Sequence, residues 1–131
     1  MGFYDAKNMK KVPFKFLQFK AHEIRAQVPY AGLCQSDAHT VLGDWGECKY
    51  PIAPGHEIVG RVTNVGSQVK GFKIGDRVGF DCQRECCEKC EFCKANFGQL
   101  CVNHKEQNFI YDPLYWGGYA TAIQHPQDFF F

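Results

Sequence analysis

The chain has 131 residues, a net charge of +1, 45% hydrophobic residues and 22% charged ones. That length suits one core rather than two, and the apolar content excludes a disordered chain. Near-neutral charge without a basic stripe argues against nucleic-acid binding, and no apolar run approaches the ~20 residues of a membrane-spanning helix.

The N-terminal stretch MGFYDAKNMKKV lacks an apolar h-region, which argues against a secretory leader. Ala6 stands where a myristoylation motif wants Ser or Thr. Residues 12–19 are mostly apolar and carry Phe14, Phe16 and Phe19. Residues 22–33 (HEIRAQVPYAGL) alternate, which predicts a half-buried strand with Ile24, Ala26, Val28 and Tyr30 on its inner face. Residues 36–42 suggest a short helix capped by Ser36.

Residues 57–65 (EIVGRVTNV) read as a second strand, in which Gly60 implies a bulge or a close backbone approach. Gly66-Ser67 turns the chain, and Gly75-Asp76 leads into a strand over 77–81. Residues 118–124 and 128–131 read as two more. Short strands at close spacing with little helix predict a small, mainly β antiparallel barrel. A cysteine-rich lobe, from residue 82 to about 107, is inserted between two of its strands. Phe129, Phe130 and Phe131 would point to both faces of a strand and leave an uncovered edge. They are expected to be covered by a continuation of the polypeptide or by a partner chain, with residues 12–19 sharing the packing.

Six of the eight cysteines (Cys82, Cys86, Cys87, Cys90, Cys93 and Cys101) fall within 20 residues. With no secretory leader, such clustering points to metal ligands in a reducing compartment, the cytoplasm or the mitochondrial matrix. Cys87, Cys90, Cys93 and Cys101 form C-x2-C-x2-C-x7-C. Zinc takes four thiolates in a tetrahedron, and x2 spacing lets one turn present two of them. Arg84, Lys89, Lys94 and Lys105 lie near enough in sequence to offset the excess negative charge. The ferredoxin pattern ends in x3 and a Cys-Pro pair, whereas seven residues and Val102 stand here. Cys82 and Cys86 are left over as non-ligands.

A second constellation comprises Cys34, Ser36, Asp37, His39, His56 and Glu57. Each alone is weak. Together they supply a soft ligand, imidazoles and carboxylates, and a catalytic zinc site needs three protein ligands and an open position. The motifs GLCQSDAH, DWGECKYPIAPGHEIVG, CEKCEFCKANFGQLC and GGYATAI, in that order, resemble the medium-chain zinc-dependent alcohol dehydrogenases. DWG before the PGHEIVG run is most similar to the cinnamyl-alcohol-dehydrogenase branch.

The resemblance implies a GroES-like, partly open barrel over 1–131, with a structural zinc lobe at about 82–108. It implies structural zinc at the four lobe cysteines and catalytic zinc at Cys34 and His56, approached by Glu57. Asp37 would orient the zinc-binding histidine, Ser36 would take the alcohol proton and His39 would pass it to water. The substrate would be a small alcohol or aldehyde, and the hydride acceptor NADP if a Rossmann domain follows. This sequence has no G-x-G-x-x-G loop, and the family's second catalytic cysteine falls beyond Phe131, so the 131 residues alone are not expected to turn over. Trp45 and Cys48 are read as packing residues, with a place in the substrate pocket as the alternative. A non-enzymatic alternative, a zinc domain kept as a docking subunit, stays open at this point.

Overall fold

The computed structural model describes residues 1–103 and 116–131. Lys105 and the end of the lobe therefore lie outside the described residues. Strands β1 (Gly2–Asp5) and β2 (Asn8–Lys10) form an antiparallel hairpin. The Asp5 carboxylate makes its turn by accepting the backbone N–H groups of Lys7 at 2.8 Å and Asn8 at 2.9 Å. Phe3 and Ile52 exchange both backbone hydrogen bonds, which fastens the hairpin to the segment before His56. No hairpin is expected here from the sequence, because Asp5-Ala6-Lys7-Asn8 carries no glycine signal.

The main sheet contains β3 (Glu23–Ala31), β4 (Ile58–Val65), β5 (Arg77–Phe80) and β6 (Ala122–Pro126) in the order β5-β4-β3-β6, all pairs antiparallel. It stays open, as expected for a partly closed barrel. Its buried face is one cluster: Ile24, Ala26, Ile58, Val62, Val78, Phe80, Ile123 and Phe130. Burying each large member contributes roughly 1.5–3 kcal/mol. Gly60 lets β3 and β5 close on β4, since a Cβ there would lie 3.1 Å from the Ala26 Cβ and 3.3 Å from Val78 Cγ2.

Three expectations are corrected. Ile24 and Ala26 are fully buried, but Tyr30 is 74% exposed. The β3–β4 register shifts between Gln27 and Tyr30, where Pro29 has no N–H to give the ladder, and the face rotates outward. The strand expected over 118–124 begins only at Ala122, because Gly117, Gly118 and Tyr119 are bonded to 53–55 instead.

Residues 128–131 do not form a strand. Gln127–Phe129 is a single 3-10 turn, followed by one bridge between Phe80 and Phe130. Phe130 is buried by this chain's own sheet, its ring 4.9 Å from that of Phe80, while Phe131 stays exposed. Phe14 packs instead on Phe16 and Trp116, and the Arg25 guanidinium lies over the Phe16 and Phe19 rings.

Helix α1 (Gln35–Leu42) follows β3, with Cys34 at its N-cap and Gly43 closing it in the left-handed region at φ 77°. The lobe leaves the sheet after β5 and contains the short helix α2 (Glu91–Lys94) and a 3-10 turn at Gly98–Leu100. Among the described residues, no helix is long and apolar enough to cross a membrane.

Candidate metal centres

The lobe brings the sulfur atoms of Cys87, Cys90, Cys93 and Cys101 within 4.8 Å of one another. Cys90 and Cys93 sulfurs are 3.4 Å apart, and those of Cys87 and Cys93 are 3.9 Å apart. A tetrahedron with Zn–S bonds of about 2.3 Å has edges of about 3.8 Å. The spacing therefore suits zinc, with sulfur shifts of a few tenths of an ångström closing the tetrahedron. Glu88, left-handed at φ 56°, folds the first x2 turn, and Cys90 begins α2 so that Cys93 lies one turn on.

Backbone N–H groups line the thiols, as a thiolate site requires. Cys90 donates to the Cys87 sulfur at 3.3 Å, Cys87 donates to Cys101, and the Asn103 amide donates to Cys87 at 3.2 Å. The N–H groups of Lys89 and Cys90 pull the Cys87 thiol down to about 5. Burial, then the neighbouring thiols of Cys90, Cys101 and Cys86, push Cys93 up. Four such sulfurs cannot all be anionic without a cation among them. Cys86 sits beside this group, near Gly98, and Cys82 is a partly buried thiol raised by burial.

The second constellation converges where α1, the loop before β4 and the loop before β6 meet. Ligand atoms of Cys34, His56 and Glu57 lie within 4.8 Å of one another. Gly32 makes room, for a Cβ there would fall 2.1 Å from Glu57 Oε2. Asp37, only 4% exposed, holds the group together. Its Oδ2 accepts the Cys34 N–H at 3.1 Å, and its Oδ1 accepts the Gly55 N–H at 2.8 Å. His56 Nδ1 faces Oδ1 at 3.4 Å, a carboxylate–histidine contact of the kind that orients a metal-binding ring. Ser36 Oγ is 3.5 Å from the Cys34 sulfur.

His39 is not brought into this group. Its Nδ1 pairs with Asp44 Oδ2 at 2.7 Å, and its ring lies against Trp45. Trp45, expected to pack, is 64% exposed. Cys48 is partly buried beside Tyr50, and burial raises its thiol.

Residues 20–131 match the family model described as the alcohol dehydrogenase GroES-like domain. The chain belongs to this family. Vomilenine reductase and cinnamyl alcohol dehydrogenase 2, both of Rauvolfia serpentina, are each 39% identical over 125 residues, covering 89% of this chain and 34% of the relative. The chain thus spans about a third of the length of these curated relatives. The solved structure of CAD from Helicobacter pylori complexed with NADP(H) superposes with a TM-score of 0.90 at 33% identity. That superposition covers 98% of this chain and 39% of the other.

Within this alcohol dehydrogenase domain, sequence reasoning missed one residue of the second site. Tyr119 donates its hydroxyl to Asp37 Oδ2 at 2.7 Å. Burial, then the Asp37 carboxylate, push the phenol up and keep it protonated. Its place depends on glycines. Gly117 donates to Ala53 O, Gly118 to Gly55 O, and Tyr119 to Pro54 O. A Cβ on Gly55 would fall 2.8 Å from Tyr119 N, and one on Gly117 would fall 2.6 Å from Pro54 C. The signal available was the pair of glycines before Tyr119, facing a Pro-Gly pair before His56.

Proposed function

We propose that this domain carries the two metal centres of a zinc-dependent alcohol dehydrogenase that interconverts a small alcohol and its aldehyde. The observation that carries this reading is the convergence of Cys34, His56 and Glu57 with the buried Asp37 carboxylate behind His56. Cys87, Cys90, Cys93 and Cys101 would hold a structural zinc. Cys34 and His56 would hold the catalytic one, with Glu57 near enough to enter or leave the coordination.

A zinc bound there supplies Lewis acidity, lowering the pKa of an alcohol. The chain's own residues do the rest. Asp37 fixes the ring of His56 and the N-terminus of α1, so that Cys34 and His56 present a preformed pair. Ser36, 3.5 Å from the Cys34 sulfur, would accept the alcohol proton. His39, paired with Asp44 on the exposed side of α1, would take that proton outward only after its ring turns. The hydride partner in this reading is NADP, held by a Rossmann domain adjoining this one. The eight thiols, all free in the structure, suit a reducing compartment, which we take to be the cytoplasm.

The test is cobalt substitution with zinc first loaded into the four-cysteine site. The protein should then take a second metal with a thiolate-to-cobalt band that Cys34→Ser removes. His56→Ala should weaken it, and adding an aldehyde should perturb the spectrum. A second equivalent that binds without the Cys34 signature would defeat the assignment.

A further inference from the structure

The Asp37 carboxylate has four polar neighbours. Cys34 N–H and the Tyr119 hydroxyl meet Oδ2, while Gly55 N–H and His56 Nδ1 meet Oδ1. The Tyr119 bond, at 2.7 Å, is the shortest of the four. The terminal torsion of an aspartate is broad, so neighbours must set which oxygen faces the histidine. Two of those neighbours belong to the segments that carry Cys34 and His56. Tyr119 comes from a third segment, 82 residues along the chain from Asp37.

We propose that Tyr119 is a positioning residue for the Cys34–His56 metal site, clamping the Asp37 carboxylate so that Oδ1 meets His56 Nδ1. This inference rests on the reading of that site given above. Tyr119 acts at two removes from the metal, through Asp37 and then His56. Its backbone is pinned too, because Tyr119 N–H donates to Pro54 O at 3.0 Å, two residues before His56. Removing the hydroxyl alone would free the carboxylate to twist while leaving the ring to line the cleft it shares with Pro54 and Leu33.

The rival account is packing, in which the ring matters and the hydroxyl does not. Tyr119→Phe separates the two. In protein already holding one zinc at the four cysteines, cobalt affinity at the Cys34–His56 site should fall about tenfold, the low end for loss of an outer hydrogen bond. Thermal unfolding of the cobalt-free protein should show only the modest loss expected when one hydrogen bond to a buried carboxylate is removed. In an Asp37→Asn background, the same substitution should bring no further loss, since the two act as one unit. Unchanged cobalt affinity in Tyr119→Phe, or a loss that adds fully to that of Asp37→Asn, overturns the inference alone. A parent protein with no Cys34–cobalt band overturns the reading of the site, and this inference with it.

Discussion

The imidazole of His125 lies stacked on the ring of Phe80, with centroids 4.4 Å apart and planes 20° from parallel. Both residues are buried in the sheet's interior. Burial, with the positive charge of Arg84 nearby, pushes His125 down from 6.5 to about 3. Folding thus favours the neutral ring. The contribution is complete above pH 6.5, where the unfolded histidine is neutral too, and it is lost as pH falls from there toward 3. The full span corresponds to roughly 4–5 kcal/mol. His125→Phe, which keeps a ring on Phe80, should flatten the acid side of a stability-against-pH curve from urea unfolding. A curve as steep as the parent's would show that other groups carry the acid sensitivity.

Zinc in the lobe should govern local rather than global order. Structural zinc sites carry apparent binding free energies of about 10–16 kcal/mol, much of it folding energy. The lobe's described residues contribute Cys101 and Arg84 to the buried set but none to the sheet's core cluster. Cys90→Ser, or strong chelation, should therefore expose residues 82–103 to amide exchange while β3 and β4 stay protected. Simultaneous loss of protection in both regions would contradict this division. So would iron, with visible charge-transfer bands, in the purified protein.

The two metal centres should differ in strength. One offers four sulfurs with N–H donors already in place, and the other a thiol, an imidazole and an exposed carboxylate. Zinc release followed with a chromogenic chelator should be biphasic, and Cys34→Ser should abolish the fast phase. Analysis after mild chelation should give nearer one zinc than two per chain. Two equivalents that resist it would refute the ranking.

Where residues 53–55 cross 117–119, neither Gly55 nor Gly117 should tolerate a side chain. Gly117→Ala would drive a Cβ to 2.6 Å from the Pro54 backbone, and Gly55 sits at φ 106°. Each substitution should destabilise by about 2 kcal/mol or more through overpacking or backbone strain. Both should also weaken the Cys34–His56 site, because Tyr119 and the Gly55 N–H reach Asp37 from this crossing. Unfolding midpoints within about 0.5 kcal/mol of the parent would show that the backbones separate easily.

The lobe was legible because metal geometry imposes fixed spacing on neighbouring residues, and C-x2-C-x2-C-x7-C survives in a linear string. Strands β3, β4 and β5 were legible through alternation and their flanking turns. The Asp37–Tyr119 contact was not, since no local pattern marks a hydrogen bond between segments 82 residues apart. Tyr30 was misread because alternation assumes an unbroken pleat, and Pro29 breaks it. The 128–131 segment was misread because three phenylalanines suit a strand by propensity. One buried position, Phe130, was enough to anchor a turn instead.

Strand β5 ends the sheet on one side, where unpaired backbone groups invite another molecule's strand. Gly79 N–H donates to Phe131 O at 2.6 Å, and Phe131 N–H donates to Gly79 O at 3.2 Å. Because outward groups alternate along an antiparallel strand, this pair consumes Gly79 and leaves Arg77 as the other outward-facing position of β5. Its charge is itself a deterrent to strand addition. Among the described residues, this edge of the sheet is thus reduced to one outward-facing position.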